Sequence, residues 1–82
     1  MNKHKLLEKI YNNTKNVKFN EFISIVEAFG FILTRSTGSH FIYKNPKINQ
    51  WLNLQSRKGE AKPYQVEQFL WFVEEYNLEM ED

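Results

Sequence analysis

The sequence predicts an α+β domain in which two short helices, a three-stranded antiparallel sheet and a closing helix share one core. Three observations carry this prediction. Apolar residues recur at helical spacing near the N-terminus, between Phe22 and Phe29, and again beyond Pro63. Between Phe31 and Gln55 the spacing changes to alternation, in three runs. The runs are joined by connections too short for a parallel crossover, so they pair antiparallel. The length of 82 residues suits one domain, and an apolar content of 41% with 16% aromatic residues is enough to fill one core.

The elements follow in order. Leu6, Leu7, Ile10 and Tyr11 set a helix over residues 3–12, ended by Asn12 and Asn13. In NEFISIVEAFG, Asn20 is the expected N-cap and Phe19 its staple. Phe22, Ile23, Val26 and Phe29 form the buried stripe, and Gly30 is the C′ residue. Strands are expected over 31–36, 40–45 and 50–55. Thr37-Gly38 marks the first turn, and Pro46, which cannot donate to a ladder, ends the second strand. Pro63 suits the first turn of a last helix over 64–76, with Val66, Phe69, Leu70, Val73 and Tyr76 inward and Trp71 and Phe72 widening the stripe.

The chain has no cysteine, which excludes disulfides and thiolate metal sites and suits a reducing cytoplasm. No apolar run approaches the roughly 20 residues that span a bilayer. The basic start, MNKHKLLEKIY, lacks the apolar region of a secretory leader. Net charge is +1, but its distribution is uneven. Arg35, Lys44, Lys47, Arg57, Lys58 and Lys62 face only Glu60 across the middle of the chain, whereas Glu67 to Asp82 holds six acids and no Lys or Arg. A basic middle suits phosphate.

His40 is the leading candidate for chemistry. Of the two histidines, it alone enters a strand from a glycine turn, and imidazole both takes and gives protons near neutral pH. Gly38 would let a ligand approach closely, and Ser39 could orient the ring or a phosphate. The cations Arg35, Lys44, Arg57, Lys58 and Lys62 could meet phosphates. Tyr43, Trp51 and Tyr64 are candidate stackers for unpaired bases. Period-2 aromatic residues more often pack, so Tyr43 and Trp51 are read as core. His4 and His40 have no close ligand set, the three glycines form no phosphate loop, and no cofactor or metal is expected. Glu74-Glu75 reads as helix surface and Glu81-Asp82 as tail.

The run RSTGSHFIYKNP resembles the GSH-x-I-[FY]-x-H-P signature of the HicA toxins of bacterial type II toxin–antitoxin systems. FNEFISIVEAFGF looks like that family's first helix and entry to its first strand. KGEAKPYQVEQFLWFVEEYNL looks like its closing segment. The likeness spans roughly residues 18–78. Residues 1–17 would be an N-terminal helical extension, and 18–82 the HicA-like domain. The resemblance implies a double-stranded-RNA-binding-domain-like fold, α-β-β-β-α, and a metal-independent endoribonuclease that cuts mRNA and is silenced by a HicB-type antitoxin. It gives His40 the general acid/base role, with Gly38, Ser39, Arg35, Lys44, Arg57, Lys58 and Lys62 on the RNA. Two positions depart from the pattern. Phe41 stands where many relatives have a second histidine, and Asn45-Pro46 replaces His-Pro. A non-catalytic RNA-binding module of the same fold, or a protein-interaction domain, are the alternatives.

Overall fold

A computed structural model describes residues 2–81. The elements are α1 (Lys3–Asn12), α2 (Phe19–Ala28), β1 (Ile32–Thr37), β2 (His40–Asn45), β3 (Gln50–Arg57), β4 (Glu60–Ala61) and α3 (Pro63–Glu75). The strands form one antiparallel sheet in chain order, β1-β2-β3-β4. The sheet is therefore four-stranded, one strand more than the sequence predicts. β4 is too short to show alternation. It exists because Lys58 and Gly59 both adopt positive φ, 52° and 79°, as a two-residue type I′ hairpin requires. That turn folds Glu60 and Ala61 back onto Arg57 and Ser56.

The free side of β4 is met by the chain entering α2. The Ala61 N–H donates to the Val17 carbonyl, and the Phe19 N–H to the Gly59 carbonyl, each at 2.9 Å. This pairing corrects the start of the helix. α2 begins at Phe19, with Lys18 at the N-cap position and no side-chain cap. A tertiary hydrogen bond to Phe19 replaces the cap expected of Asn20, which already lies inside the helix. Gly30 is the C′ residue, as predicted. Its φ is 93°, its N–H donates to the Glu27 carbonyl, and the Phe31 N–H donates to Val26. Phe31, expected to open the first strand, turns into the core from that cap and is buried.

α3 ends in the same way at Asn77, φ 54°, with the Leu78 N–H bonded to the Val73 carbonyl at 2.9 Å. The acidic tail is not merely solvated. Leu78 and Met80 pack on the core, the Glu81 N–H donates to the Ala28 carbonyl, and Glu81 pairs with Lys47 at 3.1 Å. Asp82 lies outside the described residues.

The core sits between the helices and one face of the sheet. Phe69 is its hub, meeting Phe22, Phe29 and Phe31 edge-on with ring centroids 5.5–6.0 Å apart. Leu6 and Ile10 bring α1 onto the same cluster. Tyr43, Leu52 and Leu54 supply the sheet side. Three aromatic assignments need correction, because Trp51 is 50% exposed, Trp71 55% and Tyr76 39%. Trp51 alternates with Leu52 and Leu54, so burying those two leucines leaves its ring outside.

The inward face of α3 contains a polar residue instead. Gln65 is buried, and its amide works as a short stretch of strand. The Gln55 N–H donates to Gln65 Oε1, and Gln65 Nε2 donates to the Asn53 carbonyl, both at 2.9 Å. β4 is too short to pair with this part of β3, so the side chain closes the edge and fixes α3 beside it.

Candidate functional site

The sheet face away from the core is laid out by register. On β2 it presents His40, Ile42 and Lys44. Across from them β3 presents Gln55, Asn53 and Trp51. β1 adds Thr37 opposite His40, Arg35 opposite Ile42 and Ile32 opposite Lys44. The register shift between Leu33 and Arg35 keeps Arg35 on this face, and Thr34 Oγ1 braces the shift by donating to the Ile42 carbonyl at 2.9 Å.

His40 is exposed and is the first residue of β2. Gly38 and Ser39 form the preceding turn, closed by the Thr37–His40 pair. Gly38 has φ 60°, as the first central position of a II′ turn requires. A Cβ built there would meet nothing within 4 Å, so the glycine serves the turn conformation and the space above it is open. The Ser39 carbonyl accepts from the Ser56 N–H at 3.1 Å, which ties the turn to β3. Its hydroxyl is left at the surface.

His40 stands between two shallow depressions. One, of about 270 Å³, lies toward β1 and is lined by Arg35, Thr37, Ile42 and Asn53 as well as His40. The other, of about 390 Å³, lies toward α3, where Trp51, Gln55, Tyr64 and Gln68 join His40 and Asn53. The Gln65 clamp creates the second groove, because it holds the first turns of α3 beside the open face of β3.

The predicted cations are not gathered at His40. Arg35 alone shares a depression with it. Lys44 lies over the Trp51 ring at 4.9 Å, at the far end of the larger groove. Arg57, Lys58 and Lys62 surround a separate hollow at the β3–β4 turn, and Lys62 also approaches the Tyr64 ring at 6.0 Å. Lys47 is turned away into its pair with Glu81. The positive charge therefore borders the open face on several sides. Among the described residues, no three His, Asp or Glu side chains gather where they could hold a metal ion.

The two departures from the expected pattern lie elsewhere. Phe41 faces the helices and meets Phe19 at 5.3 Å. Asn45 is fully buried; its Nδ2 donates to the Phe29 carbonyl and its Oδ1 accepts from the Lys47 N–H. Both alternate with His40 and Lys44, so both point away from the open face. Tyr43 is core, as expected. Burial, and then its hydrogen bond to Glu27 at 2.9 Å, push its phenol well above the ordinary tyrosine value.

The residues that sequence reasoning missed are Asn53, Gln55 and Gln68, together with Trp51 as a surface ring. Alternation with Leu52 and Leu54 was the available signal for the first two and for Trp51. Gln68 carried none, because its place depends on how α3 docks.

The model of one family, described as the HicA toxin of bacterial toxin–antitoxin systems, matches residues 19–71, about two thirds of the chain. The match runs from the start of α2 into α3 and contains the whole open face, while α1 precedes it. No curated protein and no solved structure matches the chain.

Proposed function

This chain belongs to the HicA toxin family, and from that premise we propose that it is a metal-independent endoribonuclease that cuts mRNA, with His40 as general acid or base. The toxin of such a pair has an antitoxin partner, which we take to be a HicB-type protein. We read residues 18–82 as the toxin domain, residues 1–17 as its helical extension, and the α-β-β-β-α core as double-stranded-RNA-binding-domain-like. The observation that carries the reading is the placement of His40, free on the open face beside Arg35 and between two grooves.

In this reading Arg35 holds a phosphate next to the imidazole. Lys44, Arg57, Lys58 and Lys62 hold phosphates further along the strand and attract the polyanion. His40 takes the proton of the attacking hydroxyl, or returns one to the leaving oxygen. Gly38 and Ser39 border the path of the backbone.

The experiment is induced expression of the wild-type chain beside His40→Ala, with RNA cleavage measured on both purified proteins. Loss of a general acid/base lowers the rate by about 10²–10⁴-fold. Growth arrest and cleavage should therefore vanish in the variant while folding is kept. Arrest by both proteins would remove His40 from catalysis. A non-catalytic RNA-binding module is the second reading, favoured by one observation: Phe41 and Asn45 stand where the resemblance expects further histidines, which leaves His40 as the one histidine of this segment. It predicts RNA retention that His40→Ala leaves unchanged.

A further inference from the structure

We propose that the groove between β3 and α3 is a reading pocket for one unpaired RNA base next to the cleaved phosphate, with Trp51 and Tyr64 as its stacking surfaces and the amides of Asn53 and Gln68 as its readers. The inference rests on the nuclease reading of the open face and assigns that face a specificity element.

The make-up of the groove points to a base rather than a phosphate. Its lining contains no Lys, Arg, Asp or Glu, and His40 is its one titratable group other than the Tyr64 phenol. The cations are not part of that lining: Lys44 lies over the Trp51 ring and Lys62 near the Tyr64 ring. A phosphate site would have the reverse arrangement. Trp51 and Tyr64 are 50% and 62% exposed, large rings left out of a core that buries six phenylalanines. Exposed rings beside cations are what single-stranded RNA uses for stacking.

The same groove is lined by side-chain amides. The side-chain amides of Asn53 and Gln68 take no part in the hydrogen bonds of the fold among the described residues, whereas the Gln65 amide has both ends committed to the β3 backbone. A primary amide offers one acceptor and two donors in a plane, the pattern that pairs with a base edge. The β3 backbone is fixed by Gln65, so Asn53 projects from a rigid strand. His40 and Trp51 are separated by four positions in register, about 13 Å along the strand. A nucleotide whose phosphate is at His40 therefore has its neighbour's base within the groove.

The test uses the full chain and uncleavable 2′-O-methyl oligonucleotides that carry a single A, C, G or U between abasic residues, with an all-abasic strand as the phosphate-only reference. Base-bearing strands should bind about tenfold or more tighter than the abasic one, and unequally among themselves. Trp51→Ala should remove most of the gain while leaving the salt dependence unchanged. The double variant Asn53→Ala, Gln68→Ala should keep the gain from stacking but bring the four bases to within about threefold of each other. Circular dichroism confirms that each variant is folded. If the abasic strand binds as tightly as the others, or if the amide variant discriminates as the wild type does, the pocket is overturned. Cleavage of a transcript by the wild type and by His40→Ala separates the two readings. Equal binding with His40-dependent cleavage removes only the pocket. Base-selective binding without cleavage supports the pocket and removes only the nuclease.

Discussion

The two faces of β2 and β3 are built from neighbouring residues of the same strands, yet they are held by different forces. On the covered face Tyr43, Leu52 and Leu54 lie against α2 and α3 and are almost without solvent contact. On the open face His40, Asn53 and Trp51 are exposed. The covered face settles which side chains face out, because burying Leu52 and Leu54 at period 2 commits Trp51, Asn53 and Gln55, which alternate with them, to the other face. The open face is then free to carry chemistry that contributes little to stability. Substitutions on the two sides should differ accordingly.

The largest expected effect is on the covered side. Phe69→Ala removes the ring that three others meet edge-on and should cost about 3–5 kcal/mol. For a small domain that is a large share of the total stability, so the variant should be largely unfolded or far lower in Tm by circular dichroism. Gln65→Ala comes next. It strands one N–H and one C=O of β3 and should cost about 2–3 kcal/mol in urea unfolding, with faster hydrogen exchange at Gln55. A loss under 0.5 kcal/mol would show that water replaces the clamp.

Tyr43→Phe should cost about 1 kcal/mol near neutral pH through the bond to Glu27. Its pH dependence sharpens the comparison. Folding raises the Tyr43 pKa, so the folded state holds this proton more tightly than the unfolded chain. That contribution is complete below the ordinary tyrosine value of 10.0 and declines as pH rises beyond it. The gap between wild type and Tyr43→Phe should therefore narrow above pH 10. The smallest effect is on the open side: His40→Ala should change stability by no more than about 0.5 kcal/mol, despite its expected loss of activity. A larger loss would mean that His40 supports the turn, and the two faces would no longer be separable.

Much of this was legible in the sequence. The stripe of α2, the Gly30 cap and the alternation of β2 and β3 each follow from local pattern, and so does the position of His40 on a strand-entering turn. What was not legible came from contacts between distant segments. β4 depends on a two-residue turn at Lys58-Gly59 and on Val17 and Phe19 arriving beside it. The Asn20 cap failed for the same reason. Gln65 resembles any polar residue in a first helical turn until β3 is seen to need a partner. Trp51 was misplaced because the packing tendency of period-2 aromatic residues outweighed its alternation with Leu52 and Leu54. The groove is a product of that docking, so only its β3 wall could be read in advance.

The bulge in β1 bears on how the chain behaves in concentrated solution. Gln65 and β4 finish one side of the sheet, but β1 leaves the other unpaired, with Ile32 and Leu33 exposed along it. A straight edge of that kind would template a second copy and seed aggregates. The irregularity between Leu33 and Arg35 breaks the even spacing of the free N–H and C=O groups, and Arg35 places a charge at the break. Neutralising Arg35 should therefore shorten the time that a concentrated sample stays clear.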